Sequence, residues 1–130
     1  MKILVGIVPG EARNDVIELA LMHASHFSAK VYLATSLEGG SSTSEKDVEE
    51  AEKGLEYAKA RFEGHEIDCE THLLIRGNSP DLDLVEFAHE KDADEIIVGA
   101  RKRSPAGKAI LGSVTQRVAL TASCPVVLVK

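Results

Sequence analysis

The chain is poor in aromatic residues and in cysteine, and it has no long apolar run. Three Phe, two Tyr and no Trp occur among its 130 residues, so its core has to be built from aliphatic side chains. Its two cysteines are too few for a disulfide scaffold and form no CxxC pair. No apolar segment reaches the roughly 20 residues of a membrane-spanning helix. These absences exclude disulfide-rich and helical membrane classes.

Positive charge is also in short supply, because 15 Lys and Arg residues stand against 21 Asp and Glu residues. The resulting net charge of -6 argues against nonspecific binding of nucleic acid by the protein surface as a whole. The chain enters an apolar segment at once, without the charged region and cleavage site of a signal peptide. We therefore expect a cytoplasmic protein with no membrane partner, folded as one domain over residues 1–130.

Short apolar runs alternate with longer amphipathic stretches along the whole chain. Runs rich in Val, Ile and Leu occur at residues 3–8, 31–34, 95–98 and 126–129, and they are typical of strands buried on both faces of a parallel sheet. Residues 69–75 mix polar with apolar side chains, which favours an edge strand. The order β-α-β-α-β-α-β-α-β predicts a three-layer α/β/α fold around an open, parallel five-stranded sheet.

Helix signals mark the segments between these strands. Ser44 is well placed as an N-cap, and Ser79 followed by Pro80 begins another helix. Asp81 and Asp83 fall in the first turn of that helix, where the dipole favours acids, and we interpret them as capping charges rather than catalytic carboxylates. A last short helix is predicted from residue 113 to residue 121.

One loop reverses the acidic character of the chain. Ligands of parallel sheets bind beyond the carboxyl ends of the strands, where the strand order reverses. The loop over residues 99–113 follows a strand, has no acid, and contains four cations, Arg101, Lys102, Arg103 and Lys108. Its glycines let backbone N–H groups approach an anion, and the helix that follows adds a partial positive charge. The loop therefore predicts a phosphate-binding site.

The loop also allows interpretations other than phosphate binding. A P-loop is excluded, because Lys102 and Ala109 stand where that motif needs a glycine and a hydroxyl residue. The glycines can instead serve only to shape the loop and cap the helix, and the cations can form a solvated surface run. Both of these interpretations stay open. His23 and His26 have helical i, i+3 spacing but no third ligand, so we predict no metal site and no catalytic residue.

The same loop resembles the nucleotide-binding signature of the universal stress protein family, G-x2-G-x9-G-(S/T). Gly99, Gly112 and Ser113 match it, and the likeness extends over the full length, from the opening run at 2–5 to the ending at 124–129. The resemblance implies a Rossmann-like fold of the adenine nucleotide alpha hydrolase type, with strand order 3-2-1-4-5. It also implies a stress-response switch or sensor that binds ATP or AMP, with Mg²⁺ only alongside ATP.

The resemblance also supplies site residues by position. It implies phosphate contacts at Gly99, Gly112 and Ser113, and base recognition by backbone groups at Ser36 and Val98. The complete predicted nucleotide site consists of Val8, Pro9, Ser36, Val98, Gly99, Arg101, Lys102, Gly107, Gly112, Ser113 and Val114. Members of this kind act by binding rather than by turnover, although slow ATP hydrolysis stays open as a third hypothesis.

Two departures from the family pattern support an alternative function. Val8 stands where ATP-binding members carry an Asp that holds the adenosine, and no nearby residue obviously replaces it, although Glu11 or Asp15 could reach inward. Lys102 stands at the second glycine of the signature, where it either costs backbone strain or indicates a redrawn loop. The alternative is therefore a dimeric interaction module that has lost nucleotide binding.

The last strand indicates an oligomer. An apolar edge made of Val126, Val127, Leu128 and Val129 is an aggregation hazard in a monomer. Pairing with a second copy about a two-fold axis covers this edge, and dimerisation through the last strand is also what the family resemblance implies. We expect a homodimer, and a protein partner of unknown identity that recognises the ordered loop.

Overall fold

Strands and helices alternate along the chain in the computed structural model, which describes residues 1–9, 13–103 and 109–130. The strands are β1 (Lys2–Gly6), β2 (Lys30–Leu37), β3 (Cys69–Ile75), β4 (Glu95–Gly99), β5 (Arg101–Arg103), β6 (Ala109–Leu111) and β7 (Val126–Val129). The helices are α1 (Asn14–Phe27), α2 (Glu45–Glu63), α3 (Pro80–Glu90) and α4 (Ser113–Thr121). A short 3-10 turn at Gly40–Ser42 lies between β2 and α2.

Five parallel strands form the main sheet in the order β3-β2-β1-β4-β7. This confirms the predicted order 3-2-1-4-5, with β7 as the fifth strand. The most apolar strand, β1, lies in the centre, and Ile3, Leu4 and Val5 are each at most 1% exposed. The polar strand β3 lies at one edge, as its composition predicts.

Helices cover both faces of this sheet. Side chains of β1 alternate, so that Ile3 and Val5 pack under α1 and α2, whereas Leu4 packs under α3 and α4. Each layer contains one fully buried or nearly buried phenylalanine, Phe62 on the first side and Phe87 on the second. The remainder of both clusters is mainly aliphatic, as the shortage of aromatic residues requires.

The helix signals read from the sequence are present at the helix starts. Ser44 is the N-cap of α2 and forms a capping box, in which its hydroxyl accepts from the Asp47 amide and the Asp47 carboxylate accepts from the Ser44 amide. Ser79 is the N-cap of α3, and Pro80 is its first residue. Helix α4 begins and ends at the predicted residues.

Two elements differ from the prediction. Strand β2 continues three residues beyond the predicted run, through Thr35 and Ser36, which are polar but buried. The loop after β4 contains an antiparallel hairpin, β5–β6, in which Lys102 lies opposite Ile110. Lys102 is thus the central residue of the short strand β5. Strands of three residues are too short to leave a periodic pattern, so the sequence could not show this hairpin.

The two cysteines lie at opposite edges of the sheet, Cys69 in β3 and Cys124 just before β7, and both are free thiols. Burial raises the pKa of the Cys69 thiol to about 12 and also raises that of Cys124. Within the described residues, no helix is long and apolar enough to cross a membrane. The same residues contain no cluster of three or more side chains suited to a metal ion.

Candidate functional site

A cavity of about 500 Å³ opens at the carboxyl ends of β1, β2 and β4, and we refer to it as the crevice. It lies at the switch point of the sheet, because the chain runs from β1 to β2 on one side and returns to β4 on the other. Open α/β sheets bind their ligands at this place. The volume falls within the roughly 300–1,000 Å³ that is usual for small-molecule sites.

Most of the predicted site residues line this crevice. They are Val8, Pro9, Ser36, Val98, Gly99, Gly112, Ser113 and Val114. Arg101 and Lys102 are placed in β5, directly after the part of the chain that forms the crevice wall. Gly107 lies outside the described residues.

Hydroxyl groups of two threonines fix the ends of the strands at the crevice floor. The Thr35 hydroxyl donates to the carbonyl oxygen of Ile7 at 2.8 Å, which holds the end of β1 against β2. The Thr115 hydroxyl donates to the carbonyl oxygen of Gly99 at 2.8 Å, which ties the end of β4 to the first turn of α4. Both side chains are buried, so these bonds are shielded from competing water.

The N-terminus of α4 opens into the crevice without a capping side chain. Its N-cap residue is Gly112, which has no side chain to accept from the first-turn amides. Ser113, Val114 and Thr115 line the crevice at this turn. The first N–H groups of a helix have no acceptor within the helix, and the dipole adds a partial positive charge there. The arrangement suits an anionic group such as a phosphate.

The opposite rim of the crevice is acidic. Glu38, just after β2, and Asp47, in the first turn of α2, both line it. Asp47 accepts from the Ser44 amide at 2.9 Å, whereas the described part of the chain offers Glu38 no hydrogen-bond or ion-pair partner. The crevice wall has no cationic side chain among its described residues. An anionic group is therefore favoured at the α4 side and disfavoured at the β2 side.

The two aspartates that we interpreted as capping charges have other partners. Asp83 is fully buried, and its carboxylate accepts from the Ser36 hydroxyl at 2.8 Å and from Nε of Arg76 at 2.6 Å. Asp81 forms an ion pair with Arg117 of α4 at 2.9 Å. Capping of α3 is therefore not the full role of these two aspartates. Asp83 contacts β2 through Ser36, and Asp81 contacts α4 through Arg117.

The Asp81 carboxyl is held ionised by its surroundings. The Ser79 hydroxyl, and to a lesser extent Arg117, hold its pKa below the usual range against the opposing effect of burial. The pair with Arg117 joins α3 to α4, the two helices that bound the crevice on one side.

Arg13, which no sequence motif marks, lies against one of the signature glycines. A Cβ atom on Gly99 would come within 2.6 Å of Nη1 of Arg13. The guanidinium group is held by Asp15, whose Oδ1 accepts from Nε at 3.0 Å. A side chain at position 99 would therefore displace the guanidinium group of Arg13.

Asp15 does not replace the missing acid at the end of β1. Its carboxylate pairs with Arg13, which holds its pKa below the usual range, and Asp15 does not line the crevice. Glu11, the other candidate, lies outside the described residues. Among the described residues, the acids that line the crevice are Glu38 and Asp47 of the β2–α2 segment, and their spacing in sequence gives no signal for this.

Fold and site together define a class: doubly wound α/β domains whose ligand sites lie at the strand switch point. The sequence matches the profile of the Universal stress protein family over residues 1–130. The chain belongs to that family.

Individual relatives support this membership. A universal stress protein of Archaeoglobus fulgidus has a solved structure that is 39% identical, with a TM-score of 0.92 and coverage of 100% of this chain and 98% of that one. A second structure from the same organism, in complex with dAMP, is 33% identical, with a TM-score of 0.83 and the same coverage. A universal stress protein of Methanocaldococcus jannaschii is 35% identical over 82 residues, which are 63% of this chain and 47% of that protein.

Proposed function

We propose that this chain binds an adenine nucleotide in the crevice and acts as a switch or sensor in a stress response. The observation on which this depends is the uncapped N-terminus of α4 opening into a cavity at the switch point. The relative that was solved in complex with dAMP, 33% identical over the whole chain, supports the choice of an adenine nucleotide. Nucleotides of this class, AMP or ATP, are the proposed ligands, with Mg²⁺ bound only alongside ATP.

The phosphate is proposed to lie at the α4 side of the crevice. Backbone groups of Gly99 and Gly112 and the amide and hydroxyl groups of Ser113 are its proposed partners, with Val114 completing the turn. Arg101, Lys102 and Gly107 remain proposed contacts of the nucleotide. The proposed contacts of the nucleoside are Val8, Pro9, Ser36 and Val98.

A dimeric module without nucleotide binding is the second candidate, and the two departures from the family pattern, Val8 and Lys102, favour it. Val8 is 51% exposed and apolar at the place where ATP-binding members of the family carry an acid. The volume of the crevice and the uncapped helix terminus that opens into it nevertheless favour the binding of a nucleotide. We propose that the single domain binds its nucleotide in the cytoplasm without converting it to a product.

Calorimetric titration with AMP, ADP and ATP tests the proposal. We expect saturable binding by the wild-type chain and weaker binding by Ser113→Ala and by Lys102→Ala, because each loses a proposed phosphate partner. A hydrogen bond to a charged group contributes about 1.5–3 kcal/mol, so the loss in affinity should exceed about tenfold for Ser113→Ala.

Lys53→Ala is the matched control for charge. Lys53 is an exposed cation on α2, away from the crevice lining, so its removal changes the net charge equally and should leave affinity unchanged. Absence of binding of all three nucleotides at millimolar concentration would contradict the proposal. If Lys102→Ala and Lys53→Ala lost the same affinity, the proposed nucleotide binding would stand, but Lys102 would no longer be a site residue.

A further inference from the structure

An ion pair joins α3 to α4 beside the crevice. Nε of Arg117 in α4 lies 2.9 Å from Oδ2 of Asp81, which is in the first turn of α3. Asp81 directly follows Pro80, a residue that lines the crevice. Arg117 follows Ser113, another lining residue, by about one helical turn. Neither member of the pair lines the crevice itself, so the pair acts on a ligand through its charges and not by contact.

The two members of this pair differ in burial. The Asp81 side chain is 10% exposed, whereas that of Arg117 is 62% exposed. The Ser79 hydroxyl and, to a lesser extent, Arg117 hold the pKa of Asp81 below the usual range, so the acid is ionised at neutral pH. Water and salt screen a buried charge much less than an exposed one. An ionised Asp81 without its partner would therefore repel an anion from this side of the crevice.

Arg117 is the cation that offsets this repulsion. It is the one charged residue of α4, and the described lining of the crevice contains no cationic side chain. Residues four apart lie on the same face of a helix, and helical side chains point toward the N-terminus. The Arg117 side chain therefore extends along α4 toward Ser113, which opens into the crevice.

We propose that the Asp81–Arg117 pair determines how much negative charge the crevice accepts in a ligand. Loss of Arg117 leaves Asp81 uncompensated, so that each phosphate group of the ligand is repelled. Loss of Asp81 leaves Arg117 uncompensated, so that phosphate groups are attracted. The two substitutions therefore act in opposite directions, which a role in packing alone does not produce. The inference rests on the proposed binding of an adenine nucleotide and assigns its selectivity for the number of phosphates to this pair.

The test compares adenosine, AMP and ATP by calorimetric titration at low ionic strength without Mg²⁺. These ligands share base and ribose and differ in charge, since a terminal phosphate carries about −1.5 to −2 at neutral pH. Two unit charges about 10 Å apart in water change affinity about twofold, so a dianion changes it about fourfold. We expect Arg117→Gln to weaken AMP about fourfold and ATP by a larger factor, with adenosine unchanged.

Three further variants show whether charge is the cause. Asp81→Asn should strengthen AMP about fourfold, and the double variant of Asp81→Asn with Arg117→Gln should return to within about twofold of the wild-type affinity. Arg117→Lys keeps the charge and should keep the affinity for AMP. The loss in Arg117→Gln should also shrink in 1 M salt, where the Debye length is about 3 Å.

Lys30→Gln is the matched control for breaking an ion pair. Lys30 pairs with Glu70 and begins β2, at the end of the sheet opposite the crevice. The substitution removes the same charge as Arg117→Gln and should leave the affinities for all three ligands unchanged. A loss of AMP affinity in Lys30→Gln equal to that in Arg117→Gln would overturn the inference.

The outcomes separate this inference from the proposed function. If the wild-type chain binds neither AMP nor ATP, the proposed function is wrong, and this inference is overturned with it. If AMP binds but Arg117→Gln keeps the wild-type affinity, or weakens adenosine and AMP alike, only the inference is wrong. Should Arg117→Gln fail to fold, or adenosine bind too weakly to measure, the ratio of ATP to AMP affinity in Asp81→Asn decides. A rise in this ratio supports the inference, and an unchanged ratio overturns it.

Discussion

Two glycines in the crevice wall are under different steric demands. A Cβ on Gly6 would lie 2.9 Å from Cγ1 of Val98, a β-branched side chain that is only 6% exposed in the central sheet. A Cβ on Gly99 would meet Nη1 of Arg13, the far end of a long side chain. The first neighbour cannot move without displacing the core, whereas the second can rotate away.

We therefore predict that Gly6→Ala destabilises the fold by about 1–3 kcal/mol, the usual cost of overpacking a core. Gly99→Ala should cost clearly less, because the guanidinium group of Arg13 can move while the sheet stays in place. Urea denaturation of the two variants and the wild-type chain measures both values. Equal destabilisation by the two substitutions would show that Arg13 is as firmly fixed as Val98.

Single residues also show why the site was only partly predictable. Gly112 and Ser113 stand in a local motif, and a local motif can be read from the sequence. The contact of Asp83 with Ser36, and that of Arg13 with Gly99, join segments far apart in the chain and exist only once the sheet has formed. In the sequence, Asp83 is simply an acidic residue in the first turn of a predicted helix. Nothing in the sequence distinguishes it from a capping charge.

At the scale of elements, the sequence predicted the helices and strands that have a run of apolar residues, a periodic apolar pattern or a helix cap. Helix α2 is an example, since its N-terminus is set by Ser44 and the capping box with Asp47. The hairpin β5–β6 has neither feature, and the extension of β2 through Thr35 and Ser36 is polar in sequence although buried. Burial of these two hydroxyls is possible because each finds an acceptor, the Ile7 carbonyl and the Asp83 carboxylate.

The start of α2 provides a prediction at the scale of an element. Ser44→Ala removes the hydroxyl that accepts from the Asp47 amide at 3.2 Å, and loss of such a cap costs about 1 kcal/mol. The substitution also frees one end of the segment that holds Asp47 at the crevice rim. We expect Ser44→Ala to unfold at a lower urea concentration with an unchanged slope. The control is Ser41→Ala, on the preceding exposed turn, which should leave the midpoint unchanged. A wild-type midpoint in Ser44→Ala would contradict the capping assignment.

At the scale of the whole molecule, the two edges of the sheet differ. The edge strand β3 is polar, whereas β7 consists of four apolar residues, and Leu128 is 37% exposed. Edges of this second kind are usually covered. Our proposal of a homodimer through β7 depends on that contrast, with strand pairing across a two-fold axis.

Sedimentation equilibrium tests the dimer. We predict a species of twice 14.0 kDa for the wild-type chain and dissociation toward the monomer in Leu128→Lys, which places a charge on the proposed interface. Met22→Lys is the control, because Met22 is an exposed apolar residue of α1, 59% exposed, away from β7. A wild-type chain that sediments only as a 14.0 kDa species at high concentration would refute the dimer.

The central claim is that the crevice at the strand switch point is the binding site for an adenine nucleotide. A ¹H–¹⁵N correlation spectrum recorded during titration with AMP tests this claim most directly, because each backbone amide reports on its own surroundings. We predict that the largest shifts fall on crevice residues from three elements, Ser36, Gly99 and Ser113 among them, while the opposite end of the sheet is unchanged. Shifts confined to other surfaces, or no shifts at millimolar AMP, would contradict the claim.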